Sequence, residues 1–456
     1  MPRSRKKSHR NQVKSSIKSG ATTTTQRPEL FLELLFLIFK HYNPEVDDDM
    51  EDLRNFSLVS KSWCRVSQAK LFEVIRVDSA DSCKFWNRKF REHPHLGPLV
   101  KDLRLSDPRE DIADRPYLRK TPAKALILAC CNVRKLALGK FKRWGPLEQR
   151  LIKSLQLVQE LRLEENPGFS RIIHLPDVVY NLPHLNKISI GNPGEDYKLI
   201  WPSSAYEEGL SLRERRPPNG GPIQLNHLEF TRSEYSTDLF LWASGPAFDH
   251  SKLEHVTLSW REVTYSTNPS IATPATPDFK ALATFLRAIK HCSLSLSLIL
   301  PYPSSPSGDE TRRDFMRDYL LSSKITECLE NIQVLDIRDG HMPYENMLAL
   351  VACVKGQSLT HINFETVIFL DDIDIFYHQL QAFDLLLASD IYPSLERFSW
   401  ELKIYLSPFR SVYPTLIPAL RSIIMKRLPL VAAKCVLDID VVAQDYDTCP
   451  YRTSYF

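Results

Sequence analysis

A short apolar pattern recurs along most of this chain and constrains its fold more than any other feature. Apolar residues stand at i, i+3 and i+5 in Val100/Leu103/Leu105, Val133/Leu136/Leu138, Val158/Leu161/Leu163 and Leu185/Ile188/Ile190. It continues in Leu225/Leu228/Phe230, Leu253/Val256/Leu258, Ile332/Leu335/Ile337, Leu359/Ile362/Phe364 and Leu395/Phe398/Trp400. In a chain that is 43% hydrophobic such matches also arise by chance, so context decides. Polar pairs such as Lys101-Asp102, Arg134-Lys135 and Gln159-Glu160 fill the gaps, and successive copies lie 25 to 40 residues apart up to Leu253. Leu294, Leu296, Leu298 and Leu300 form a plain alternating strand in the long interval that follows. One short strand every 20 to 40 residues or so is the mark of a solenoid of stacked units. Residues 278–292, 312–329, 344–355 and 373–389 read as helices between the strands.

At 456 residues the chain has room for two to four domains of roughly 150 residues each, or for one long repeat array. Its charged share of 25% excludes a disordered chain, a collagen and a polytopic membrane protein. The net charge of +4 is misleading. Arg3, Arg5, Lys6, Lys7, Arg10, Lys14, Lys18 and Arg27 all fall within residues 1–27, which contain no acid, so the remainder is mildly acidic. A general affinity for nucleic acid is therefore not expected. The arm itself is polar and reads as disordered, with Arg3 to Lys7 either an import signal or a solubilising cluster. Nine scattered cysteines without a C-x-x-C pair suit a reducing compartment and free, mostly buried thiols. The longest apolar run, Leu30 to Phe39, is too short to span a membrane, so cytoplasm, nucleus or both are expected.

That run has helical spacing in Leu30, Leu34, Leu35 and Ile38, while Leu32, Phe36 and Phe39 widen the apolar face almost all round. Such a helix must be covered on more than one side. Five acids between Asp47 and Asp52 suit a helix start. Leu53, Phe56, Val59, Trp63 and Val66 follow at helical spacing, and Leu71 to Val77 close the unit with a β-like run. These residues suit a helical cap on the following domain, or a unit that finishes its core against a partner.

The stretch resembles the F-box. Residues 33–42 look like the first F-box helix, and Phe56-Ser57-Leu58-Val59-Ser60-Lys61-Ser62-Trp63 is similar to the S-L-V-C-R-x-W signature, with Ser60 in place of Cys. Lys70-Leu71-Phe72-Glu73-Val74-Ile75 and residues 90–105 resemble segments of fungal F-box proteins. The family usually opens with Leu-Pro, where this chain has Leu30-Phe31 or, in a shifted register, Arg27-Pro28. The resemblance implies docking on a Skp-type adaptor, and through it on a cullin, by Leu30, Leu34, Leu35, Ile38, Leu53, Leu58, Val59 and Trp63. The later pattern resembles a leucine-rich repeat, although only Asn166 stands where that family places Asn or Cys, so uneven repeats are expected.

The fold expected is α/β: an N-terminal helical F-box followed by an irregular leucine-rich-repeat-like solenoid. The organisation is a basic arm at 1–27, the F-box at 28–77, a substrate-binding repeat domain at 78–445 and a tail at 446–456. No phosphate loop, nucleophile elbow or zinc-protease motif occurs. Asp371, Asp372 and Asp374 suit a helix start better than a metal site, and Asp438-Ile439-Asp440 suits a strand with its acids outward. No catalytic residue, cofactor or metal is expected. The implied function is substrate recognition within a Skp–cullin–F-box ubiquitin ligase, without catalysis by this chain; a protein-interaction scaffold outside any ligase is the alternative. Between the inward positions i+3 and i+5 lie Arg104, Ala137, Arg162, Ser189, Glu229, Thr257, Asp336, Asn363 and Ser399, which strand alternation turns outward. Arg104, Arg162, Glu229, Asp336 and Asn363 are the candidate contacts to a protein substrate.

Overall fold

The computed structural model describes residues 32–106, 117–139, 145–164, 174–191, 213–217, 221–230, 236–259, 277–292, 294–300, 328–339, 344–354, 356–369, 373–406 and 413–445. The basic arm, Leu30, Asn166, Asp371, Asp372, the tail and nearly all of the helix expected at 312–329 lie outside the described residues. The chain forms two compact units, residues 1–67 and 68–456.

In the first unit, α1 (Leu32–Phe39) and α2 (Asp47–Phe56) precede α3 (Lys61–Leu71). Asp47, Asp48 and Asp49 occupy the first turn of α2, where carboxylates offset the unpaired N–H groups. Asp49 also accepts a hydrogen bond from the Asn43 N–H at 2.7 Å, which ties the α1–α2 turn to the helix start. Phe39, Tyr42, Phe56 and Trp63 form an aromatic cluster with ring centroids 5.2 to 5.9 Å apart, mostly edge to face. Leu35, Phe39 and Leu53 are buried.

The second unit is mixed α/β. Its main sheet has twelve strands, all parallel, and their spatial order follows the chain. The first five are β1 (Val74–Val77), β2 (Asp102–Ser106), β3 (Lys135–Gly139), β4 (Glu160–Glu164) and β5 (Lys187–Ile190). After the two-residue β6 (Ile223–Gln224) come β7 (His227–Phe230), the two-residue β8 (Phe248–Asp249), β9 (His255–Ser259) and β10 (Leu294–Leu300). The sheet ends with β11 (Ile332–Asp339), β12 (His361–Phe369), β13 (Arg397–Leu406) and β14 (Val436–Asp445). β6 and β8 pair only with each other. Both units together contain thirteen α-helices among the described residues. The helices expected at 278–292, 344–355 and 373–389 appear as Pro277–Ile289, Tyr344–Cys353 and Ile373–Ala388.

Val74–Val77, grouped by sequence with the N-terminal helices, is the first strand of the sheet, because its backbone pairs with Asp102 to Leu105. The compact units divide at Ser67/Gln68.

Each position of the apolar pattern has its own structural task. The first residue closes a turn before the strand by donating its N–H to the carbonyl three residues earlier. Val100 does so to Gly97, Val133 to Cys130, Val158 to Leu155 and Leu185 to Leu182, at 3.1 to 3.4 Å. Leu253, Ile332, Leu359 and Leu395 repeat the bond. At two of these turns a Cβ has no room: one added at Gly97 would lie 2.6 Å from the Ala129 carbonyl oxygen, and one at Gly356 would lie 2.6 Å from the Leu359 Cβ. The next bond sets register. Two successive N–H groups, those of Arg134 and Lys135, donate to the single carbonyl of Lys101. The same fork binds Gln159 and Glu160 to Arg134, Asn186 and Lys187 to Gln159, and Asn226 and His227 to Asn186.

The second and third positions of the pattern form two unbroken rows across the sheet. One runs Ile75, Leu103, Leu136, Leu161, Ile188, Leu228, Val256, Leu296, Leu335, Ile362, Phe398; the other runs two residues further along each strand. Every member named is buried. The intervening helices bring Leu126, Ile127, Ile152, Val178, Phe285, Leu350 and Leu380 into the same core. These described helices therefore pack behind the same two rows. Burying each Leu or Ile contributes roughly 1.5–3 kcal/mol. Two buried polar groups find partners across the core: Trp400 donates to Thr366 Oγ1 at 2.9 Å, and the Asp384 carboxylate accepts the Val431 N–H at 2.9 Å. Burial also pushes the Cys83 thiol up to about 11 and, with Cys131 adjacent, the Cys130 thiol up to about 12, as expected of inert structural cysteines.

Leu161→Asp places a carboxylate in the middle of a buried row. It is expected to cost more than about 4 kcal/mol and to abolish the cooperative unfolding transition followed by circular dichroism. Arg104→Glu with Arg162→Glu, on the other face, is expected to leave a folded protein.

Candidate interaction surfaces

Two surfaces carry the residues singled out from sequence. On the first unit, Leu34, Phe36, Leu37 and Ile38 of α1 are exposed, Leu37 by 60%. Leu58 and Val59, in the turn after α2, are exposed by 84% and 62%. Water-facing apolar side chains in this number on so short a segment make it a candidate interaction site. The expected contact residues divide in two. Leu34, Ile38, Leu58 and Val59 face solvent, whereas Leu35 and Leu53 are fully buried and build the platform. Trp63 is half-buried in the aromatic cluster. Phe36 and Leu37 are more exposed than Leu34, which sequence could not show: α1 is apolar on every side, so no periodicity distinguishes its inner face.

The second surface is the uncovered face of the sheet. An all-parallel sheet is ordinarily covered on both faces and apolar throughout. Here the middle row of outward positions is mostly polar, although Val334, Val367 and Val442 also lie on this face. Arg104, Ala137, Arg162, Ser189, Glu229, Thr257, Asp336, Asn363 and Ser399 align in one row, as strand alternation requires. The structure adds Arg76, Ser297 and Asp438 to it. The alternation of Leu294 to Leu300 and the β-like run Val74 to Val77 carried the signal for Ser297 and Arg76. Ala137 is buried, since the side chains around it overtop a single methyl. Asp438 and Asp440 are exposed around the buried Ile439, as expected.

The polar residues pair among themselves. Arg104 meets Asp102 at 3.2 Å, Ser189 donates to Glu229 at 2.9 Å, Asn363 donates to Asp336, and Arg397 meets Asp438 at 2.9 Å. Lys403 bonds Glu365, and despite burial that pairing raises the lysine pKa. The densest cluster surrounds Glu160, with Arg162 Nε at 2.7 Å, Lys135 Nζ at 3.4 Å and Lys187 Nζ at 3.6 Å. Burial alone would raise the Glu160 carboxyl. The bond and charge of Arg162, with Lys187 and Lys135, outweigh it and hold the pKa below the ordinary value. His227 lies beside His255, the rings tilted with centroids 5.6 Å apart, and burial with nearby Lys187 lowers its pKa.

Among the described residues no group of three or more His, Cys, Asp or Glu side chains could hold a metal ion. No described helix is long and apolar enough to cross a membrane. No protein-family model and no curated protein matches the chain.

Glu160 gives a pH signature. A carboxyl whose folded pKa lies below its unfolded value, near 4.3, stabilises the fold above that value, and the contribution vanishes as pH falls through the folded pKa. Urea unfolding should therefore show wild-type stability falling more than that of Glu160→Gln between pH 7 and about pH 3. Equal losses would mean that Glu160 is not held by its three cations.

Proposed function

We propose that the chain is the substrate-recognition subunit of a Skp–cullin–F-box ubiquitin ligase, with an F-box at its N-terminus and an irregular leucine-rich-repeat-like solenoid behind it. The observation that carries this reading is the apolar surface of Leu34, Phe36, Leu37, Ile38, Leu58 and Val59 on a small helical unit whose sequence resembles the F-box. Isolated, that surface costs solvation free energy; against apolar adaptor helices it becomes core. The parallel strands, entered by one repeated turn and open on a polar face, support a repeat domain that holds a protein substrate. On this reading the chain supplies proximity and orientation to a conjugating enzyme, and no bond-making group of its own.

The test is recovery of adaptor and cullin with the tagged protein. Leu58→Asp with Val59→Asp alters two exposed side chains and leaves the aromatic cluster intact. It should abolish adaptor recovery while the unfolding transition of the sheet is unchanged. Full adaptor recovery with this variant, or a stable wild-type complex that contains neither adaptor nor cullin, would overturn the proposal. The second result would make the chain a scaffold.

A further inference from the structure

We infer that the open sheet face over β2 to β5 is a cradle for an acidic, extended stretch of a partner protein. The inference rests on the substrate-receptor reading and names the chemistry of what that face takes.

The shape comes from β3. Its outward residues are Lys135, Ala137 and Gly139, so beyond the lysine the floor is nearly bare backbone. Gly139 is held to that size, because a Cβ there would lie 2.9 Å from the Glu164 carbonyl oxygen. Arg104 on β2 and Arg162 on β4 flank Ala137 in register. Strands spaced by about 4.8 Å put these two arginines about 10 Å apart, and since Ala137 is only 3% exposed, an extended chain along β3 would lie over their side chains.

The charge comes from unequal pairing. Asp102 balances Arg104, but Glu160 is one carboxylate shared by Arg162, Lys135 and Lys187. Among the described residues this leaves an excess of two positive charges in a cluster whose lysine and arginine side chains are 31 to 50% exposed. Over β1 to β5 the outward positions hold five cations against three carboxylates, Glu164 among them. Over β11 to β14 the balance reverses, with five carboxylates against three cations at the described outward positions. An acidic segment is thus attracted to one end of the face and repelled from the other. That fixes its place, and a half-buried setting strengthens the attraction over its value in bulk water.

The probe is a fluorescein-labelled peptide of alternating Glu and Ser, about 12 residues long so that it outruns the five-residue β3. Its anisotropy is titrated with the full chain, without adaptor. Binding should weaken as salt is raised. Lys135→Glu with Lys187→Glu should weaken it about tenfold or more, while Arg338→Glu with Arg397→Glu, the same charge change at the far end, should stay within about twofold. Both variants should melt within about 3 °C of wild type. If the first melts lower, Lys135→Met with Lys187→Met takes its place and should show the same loss. No binding by the wild type, equal loss in both variants, or equal binding of a Lys/Ser peptide would overturn the inference. An oligothymidylate bound as tightly as the Glu/Ser peptide would also overturn it, by assigning the face to nucleic acid. Adaptor recovery is measured separately, so peptide binding without adaptor refutes the ligase reading alone, and adaptor recovery without peptide binding refutes the cradle alone.

Discussion

The register of the parallel ladder is the constraint on which residues 68–456 depend. Side chains alternate along a strand, so a slip of one residue exchanges the two faces. Leu103, Leu136 and Leu161 would then turn to water, while Arg104 and Arg162 would turn into the core. That costs both the lost apolar burial and the desolvation of charge. The forked bonds at the strand entrances add a local restraint: one carbonyl, such as that of Lys101 or Arg134, takes two successive N–H groups of the next segment. At these entrances the backbone itself holds the register that the side chains require.

The bare face follows from where the crossovers lie. Among the described residues, the helices of the crossovers contribute to the core behind the two apolar rows. The outward side chains must then satisfy one another or water. Short partnerships between adjacent strands do this, as in Ser189 with Glu229, Asn363 with Asp336 and Arg397 with Asp438. Such pairs add little stability at an exposed surface. Their effect is to hold side chains in fixed positions, which suits recognition of a partner better than a mobile fringe of lysines would.

The N-terminal helices answer a different requirement. Few residues share the core of Leu35, Phe39 and Leu53, and the aromatic cluster of Phe39, Tyr42, Phe56 and Trp63 supplies much of its contact area. A small unit has too little interior to hide all its apolar side chains. Leu37 and Leu58 are left in water, where they can bind only a partner with matching apolar surface.

The strands of the main sheet, their inward and outward residues and several of the helices are legible in the chain alone, because each depends on local period: two for a strand, 3.6 for a helix. Nine outward residues from Arg104 to Ser399 could be named on that ground alone. The sequence could not say which side of α1 is buried, since Leu34, Leu35, Phe36 and Leu37 are equally apolar and only contacts distant in sequence choose Leu35. Nor could it place Val74–Val77 in the sheet, because strand membership is a pairing with residues 102–105 and not a property of the segment. The shared carboxylate of Glu160 belongs to the same class. Lys135, Glu160, Arg162 and Lys187 are spread over 53 positions, and only parallel pairing of β3, β4 and β5 brings Lys135 and Lys187 to the acid that Arg162 already meets on its own strand. Local pattern is written in neighbours along the chain, whereas burial and charge balance depend on neighbours in space, which only the tertiary fold assigns.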